Sequence, residues 1–402
     1  MTQSAASIAR SSRSYYLFFV CYLAALGAFP SFVNDLYLPT LPQMSAEFHC
    51  SRSVTQLGLS FVMIGLGLGE LFWGPLSDKT GRKPVLVMSL IVFILASGIS
   101  VFSPSIGFFI GCRLLQGLGA SGAVMLAKTI PADKFSGREL AKIMSVIGAI
   151  NGIAPVSGPL VGGFMAHAIG WRGIFVVLTL IGATMLALAA KYRETLPPDK
   201  RNKAPLLRIM REFVPLVKDK HFMTHTMLKS AALGVLFCYI SAGPFILQEH
   251  YGFSAMTFGL IFGLNAMGVV GGAIVSVKFR TMKKAAVTGA SLAAAFAIAE
   301  GIAISLIDSV WVFESLVIPM LFFLGIVFAA ANTLAMSEGR GKAGAASAIL
   351  GLGGYIFGFI VSPLVGLGNI LTSTSIGMIA CALICVWFAL LSWRLPADKI
   401  QP

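Results

Sequence analysis

Gly74-Pro-Leu-Ser-Asp-Lys-Thr-Gly-Arg-Lys-Pro84 is a short polar break between two long apolar runs. It places an acid, a turn glycine and three basic residues within one connection. Gly81, next to Arg82 and three residues after Asp78, can take a positive φ without a Cβ clash, and Pro84 has the φ of a first helical turn. The stretch therefore predicts a tight basic hinge, with Gly74, Asp78, Gly81, Arg82 and Lys83 in it, joining two membrane-crossing helices.

The rest of the chain agrees with that hinge. Only 11% of the 402 residues are charged and 57% are hydrophobic, with a mean hydropathy of +0.86. Soluble chains carry about 25% charged residues. Apolar runs of 18 or more residues recur throughout, each long enough to cross ~30 Å of hydrocarbon. The fold class is thus an all-α membrane protein. Twelve spans are expected, near 15–42, 53–76, 83–103, 105–129, 139–166, 170–191, 223–248, 254–278, 285–307, 311–334, 342–368 and 372–394.

A net charge of +14 could suggest nucleic acid, but the basic residues sit in the short breaks between spans. One side takes Arg10, Arg13, Lys79, Arg82, Lys83, Lys134, Arg138, the stretch from Lys191 to Lys220, Lys278, Arg280, Lys283, Lys284, Arg340, Lys342, Arg394 and Lys399. The other takes only Arg52 and Arg172. The positive-inside rule then makes both termini cytoplasmic, and no nucleic-acid partner is implied. The first run is too long for a cleaved leader and is expected to stay as a span.

Residues 192–222 form the longest break and divide the chain into halves, 1–191 and 223–402. Gly158-Pro-Leu-Val-Gly162 and Ser362-Pro-Leu-Val-Gly366 match at an offset of 363 − 159 = 204. The same offset carries the opening hinge onto the basic break Lys278–Lys284. Two six-helix halves in parallel repeat, with a site at the midplane between them, are a transporter plan.

Charge inside a membrane is costly, about 2.5–3.5 kcal/mol per residue on insertion scales, and so marks function. Asp35 lies seven residues before Pro42 and Arg113 eight after Ser105, each about 10–12 Å deep at 1.5 Å per residue. At matched depth they are expected to pair, with proton or substrate competing for the pair. Glu70 is a second deep acid. Glu300 is undecided, Glu314 starts the tenth span close to water, and Lys128, Lys229 and Glu249 lie within a turn or two of span ends, where snorkelling or facing a loop is the expectation. The run from Gly148 to Gly163, with Gly152, Pro155, Gly158, Pro159 and Gly162, reads as a kinked, closely packed helix at the seam between halves. His221 and His225 share a helix face beside a basic loop, which points to solvation rather than metal. The six cysteines show no CxxC spacing, so no metal or disulfide framework is expected.

These motifs resemble the major facilitator superfamily, and within it the twelve-span drug:proton antiporters of the bicyclomycin/chloramphenicol resistance type. Gly74 to Lys83 is similar to the signature between spans two and three. Arg113-Leu-Leu-Gln-Gly117 is similar to the fourth-span motif, and Gly158-Pro159 with Gly162 and Gly163 to the antiporter motif of span five. Asn34-Asp-Leu-Tyr-Leu-Pro39 resembles the first-span motif of the drug-exporting branch. Glu194-Thr-Leu-Pro-Pro198 and Ser241-Ala-Gly-Pro-Phe245 add to the resemblance. It implies alternating access, with export of small, mostly apolar or amphipathic compounds driven by proton entry through a bacterial inner membrane. No cofactor beyond the proton gradient is implied, and a monomer is expected.

By the same resemblance Asp35 takes part in proton and substrate binding, supported by Arg113. Asp78 and Arg82, with Asp133, form a cytoplasmic latch that holds the outward-facing state. Glu70 stands where an amide is more usual, and Gly27 where some relatives carry an acid. Asn34, Tyr37, Asn151, Phe237, Tyr239, Asn265 and Asn332 are the expected cavity wall. The alternative is a dedicated exporter or importer of one metabolite, such as an amino acid, purine or siderophore. A membrane enzyme or receptor is disfavoured, because no Ser/His/Asp order, metal cluster or sizeable extramembrane domain is evident.

Overall fold

The computed structural model describes residues 2–205, 209–211, 213–339 and 342–396, with side chains from Tyr15 onward except that of residue 343. Arg340 and Lys399, and the side chains of Arg10 and Arg13, lie outside the described residues. All regular elements among the described residues are helical.

The spans are Thr2–Asp35, Arg52–Thr80, Arg82–Ser100, Ile106–Lys134, a 53-residue run Gly137–Ala189 that holds two, Lys220–Pro244, Ala255–Val275, Met282–Leu306, Val310–Glu338, Ala343–Val365 and Ile370–Arg394. The 53-residue run would extend about 80 Å as one helix, far more than one bilayer crossing. Gly170 breaks it, with φ 63° and ψ −177°. The fifth span is therefore 137–169 and the sixth 171–189, which gives the twelve crossings expected.

Local chemistry sets the ends. Ser51, Ser105, Ser254, Thr281 and Asn369 each accept a backbone N–H from the first turn of the helix they precede, and Asp219 does so for the seventh span. These caps satisfy donors that a helix start leaves free. Gly81, at φ 109°, is the single-residue turn between spans two and three.

The first span differs from the expected helix over 15–42. It stops at Asp35, passes through Leu36 and Tyr37 and a single turn at Leu38–Thr40, and resumes as the short helix Leu41–Glu47. Pro39 and Pro42, which lack an N–H, sit at the starts of those two segments, where none is needed.

The halves meet along two seams, the second span on the eleventh and the fifth on the eighth. The two copies of the repeated Pro-Leu-Val-Gly motif lie one on each seam. A Cβ added at Gly259 of the eighth span would sit 2.4 Å from the Pro159 carbonyl oxygen. On the other seam Ser53 donates its hydroxyl to the Pro363 carbonyl at 2.6 Å. The basic hinges repeat as well. Lys83 Nζ donates to the Ala190 and Tyr192 carbonyls after the sixth span, and Lys283 Nζ to the Leu395 and Pro396 carbonyls after the twelfth. Each lysine closes its own half by tying its third helix to the last.

Candidate functional site

The fourth-span arginine is a structural knot. Arg113 is fully buried; its Nε donates to the Gly58 carbonyl at 3.2 Å and Nη2 to the Val33 carbonyl at 3.1 Å. Nη1 donates to Gln116 Oε1, and Gln116 Nε2 passes the connection to Ser97 Oγ at 2.7 Å. One guanidinium thus ties spans one, two, three and four, and its carbon lies 4.1 Å from the centre of the Tyr37 ring. Five donors in a rigid plane suit this work, which a lysine ammonium could not reproduce.

Asp35 does not pair with Arg113, contrary to expectation. Its carboxylate makes no hydrogen bond or ion pair among the described residues and lines a central cavity instead. Tyr37 fills the space over the guanidinium. The helix ends at Asp35, and the break that follows carries Tyr37, not the acid, onto the guanidinium. Gly158 makes room for it: a Cβ there would come within 2.8 Å of the Asp35 Cβ.

That cavity, of about 580 Å³, lies between the halves. Pro30, Asn34, Asp35, Glu70, Lys128 and Pro155 line it from the first half, and Lys229, Phe237, Asn332 and Tyr355 from the second. A further chamber of about 450 Å³ leads towards the basic end, sharing Glu70, Lys128, Met336 and Ser347 and reaching Gly74, Asp78 and Arg82. The opposite end is closed across both seams. Arg52 pairs with Glu249 at 2.7 Å, Gln56 Nε2 donates to the Ser241 carbonyl at 2.8 Å, and Gln248 Nε2 donates to the Pro39 carbonyl at 3.0 Å. Glu249, expected to be loop-facing, belongs to this closure.

The basic hinge forms a dense network. Arg82 pairs with Asp133 at 2.7 Å and Asp78 at 2.5 Å, and donates to Ser77 Oγ at 2.6 Å. Glu194 accepts backbone N–H groups from Arg82, Lys83, Thr195 and Leu196. Every one of these partners lies in the first half or at the start of the linker. In this state the cluster braces one half and, among the described residues, makes no ion pair across to the other.

The fifth-span motif divides in two. Gly148 and Gly152 have nothing within 4 Å of an added Cβ, so the expected close packing is absent there. Towards the closed end, a Cβ at Gly162 would meet the Leu36 carbonyl oxygen at 2.1 Å, and one at Gly163 the Ala255 carbonyl oxygen at 2.3 Å.

Of the expected wall residues, Asn34, Phe237 and Asn332 line the central cavity. Tyr37 does not, because it is buried over Arg113. Tyr239 and Asn265 are also buried. Asn265 Nδ2 donates to Tyr239 Oη at 2.6 Å and to Glu314 Oε2 at 2.7 Å, so all three belong to a polar knot inside the second half. Asn151 packs against Gly27, where a Cβ would come within 3.0 Å of its Oδ1. Glu300 is buried and accepts from Ser375 Oγ at 3.1 Å. His221 and His225 are turned to different partners, Glu338 and Ser392.

Lys128 and Lys229 are the residues that sequence reasoning undervalued. Both were expected to snorkel, yet both stand on the cavity wall, and Lys229 Nζ donates to Asn332 Oδ1 at 3.0 Å. Distance from a span end cannot distinguish a lysine reaching water outside from one reaching water within.

Residues 23–363 match the model of the Major Facilitator Superfamily. The chain belongs to that superfamily. It is 33% identical to the uncharacterised MFS-type transporter YdgK of Bacillus subtilis, over 86% of this chain and 87% of that protein. It is 29% identical to a bicyclomycin resistance protein homologue of Haemophilus influenzae, over 86% and 88%. A chloramphenicol resistance protein of Pseudomonas aeruginosa is 31% identical over 62% of this chain and 57% of that protein. Among solved structures, the xylose transporter XylE of E. coli in a partially occluded inward-open state covers 96% of this chain and 100% of its own, with a TM-score of 0.72 at 16% identity. The facilitator chain is thus a multi-pass membrane transporter, not an enzyme.

Proposed function

We propose that this facilitator is a proton-driven antiporter that exports small, mostly apolar or amphipathic compounds, drugs among them, from the cytoplasm. The observation that carries the proposal is the central cavity, open towards the basic end and closed at the other, with Asp35 and Glu70 on its wall and without hydrogen bonds among the described residues. The positive-inside rule puts the basic end in the cytoplasm of a bacterial inner membrane, so this state takes up substrate from within. A carboxylate without a protein partner can hold a proton or a substrate group but not both, which is the competition that exchange needs. Once the halves rock about the two seams, the same cavity faces outward and Asp35 can reload with a proton. Each chain carries both halves and a whole cavity, which supports action as a monomer. The drug-resistance names of relatives near 30% identity support the substrate class.

Purified protein in liposomes with an imposed pH gradient tests this. Chloramphenicol should move against proton flow, and an uncoupler should stop it. Movement with the protons, or flux indifferent to the gradient, would overturn the assignment.

A further inference from the structure

Four charged side chains face the central cavity: Asp35, Glu70, Lys128 and Lys229. Their formal charges cancel, but they are not evenly spread. Glu70 and Lys128 also line the chamber nearer the basic end, whereas Asp35 does not. The two lysines and Glu70 lie within electrostatic range of one another, from spans two, four and seven. Two ammonium groups share one carboxylate there, which leaves one positive charge unmatched. At the deep end Asp35, once it gives up its proton to an incoming ligand, leaves one negative charge unmatched.

The lysines are also short of partners. An ammonium has three donors. Lys128 makes no hydrogen bond or ion pair among the described residues, and the Lys229 ammonium has the bond to Asn332. The wall of the same cavity also carries the apolar side chains of Val124, Leu233, Phe237 and Leu350.

We infer that Lys128 and Lys229, with Asn332, form an anion subsite in this cavity, and that with Asp35 it selects small amphoteric molecules bearing a carboxylate, an ammonium group and an apolar body. The inference rests on the central cavity being the transport site. A lipophilic cation would satisfy Asp35 but bring its charge towards two ammonium groups, an arrangement that discriminates against it. A neutral compound, chloramphenicol included, leaves both poles unmatched and is expected to be carried with weaker affinity rather than excluded. An amphoteric ligand meets both, with its ammonium at Asp35 and its carboxylate at the lysines. Glu70 is then an internal rival for the ligand carboxylate, and neutralising Glu70 frees the lysines for it.

The test uses the purified full-length protein and four matched probes: L-alanyl-L-phenylalanine, its C-terminal amide, its N-acetyl derivative and the doubly capped form. Binding is read by thermal stabilisation at neutral pH. The free dipeptide should bind about tenfold or more tightly than any capped form, since charged hydrogen bonds are at stake at both ends. Lys128→Gln and Lys229→Gln should each remove the advantage of the free carboxylate over the amide, and Glu70→Gln should tighten binding of the free dipeptide. A melting transition in each ligand-free variant shows that it is folded. The inference is overturned if the amide binds as tightly as the free dipeptide, if the lysine variants keep the preference, or if no probe binds. Chloramphenicol exchange for protons in liposomes is a separate readout: its absence sinks the export proposal and leaves the charge preference standing.

Discussion

Replacing Gly163 by alanine should tilt the molecule towards the state open at the end now closed. The added Cβ would lie 2.3 Å from the Ala255 carbonyl oxygen and 3.1 Å from the Met256 Cα, both backbone atoms of the opposite half. A carbon–oxygen contact is comfortable at about 3.3–3.6 Å, so the seam must open by about 1 Å. Overpacking of this kind costs about 1–3 kcal/mol, and it applies only to the state in which these surfaces touch. That differential converts to roughly a 5- to 150-fold shift between the two states. Gly259→Ala, whose Cβ would meet the Pro159 carbonyl oxygen at 2.4 Å, should act in the same direction. Gly148→Ala and Gly152→Ala, with nothing within 4 Å, should do nothing. Spin labels at Ala46 and Ile307, exposed at the closed end in opposite halves, would report the change as a new population at longer distance. The reasoning fails if Gly163→Ala leaves the distance distribution unchanged, or if Gly148→Ala alters it equally.

Three further outcomes follow from named contacts. Asp35→Asn and Arg113→Gln should couple by less than about 1 kcal/mol in thermal stability, because the two side chains make no hydrogen bond or ion pair with each other and share only Tyr37 as a neighbour; a coupling of about 3 kcal/mol would mean that they pair. Glu194→Ala strips the acceptor from four backbone N–H groups and should destabilise the hinge by about 1–3 kcal/mol, seen as faster proteolysis of the linker. Asp308, in the connection after the ninth span, accepts from His250 Nε2 at 2.9 Å, and that bond holds its carboxyl below the usual range. Its folded pKa being depressed, the contact stabilises above the ordinary carboxylate pKa near ~3.9 and is lost as pH falls through the lower folded value. The melting-temperature difference between the native chain and His250→Ala should therefore shrink at acid pH.

Much of this architecture is legible in the sequence because the bilayer leaves few choices. Apolar length gives the spans, the bias of Lys and Arg gives one basic end, and Pro159 and Pro363 mark the two seams. Gly81 declares the turn that Asp78 and Arg82 then brace. The site is harder to read, for physical reasons that differ by residue. Pro39 and Pro42 announce that the first helix does not run unbroken to residue 42, but they do not say which way Asp35 faces. Depth along the span matches the acid with Arg113, yet Tyr37 takes the place over the guanidinium. Lys128 and Lys229 look like surface lysines because a cavity wall between the halves can carry the same charged residue types as the surface. Tyr239 and Asn265 carry groups suited to a cavity wall, yet they turn to each other and to Glu314. The faces of helices on which such residues fall are set by packing between spans.

The proposed exchange of substrate for proton at Asp35 is most directly tested by counting protons. A compound that the liposome assay has shown to be carried is added to purified protein in weak buffer containing an indicator dye. Binding should release protons from the native chain and none from Asp35→Asn. Binding to the native chain without release, or equal release from the variant, would contradict the account.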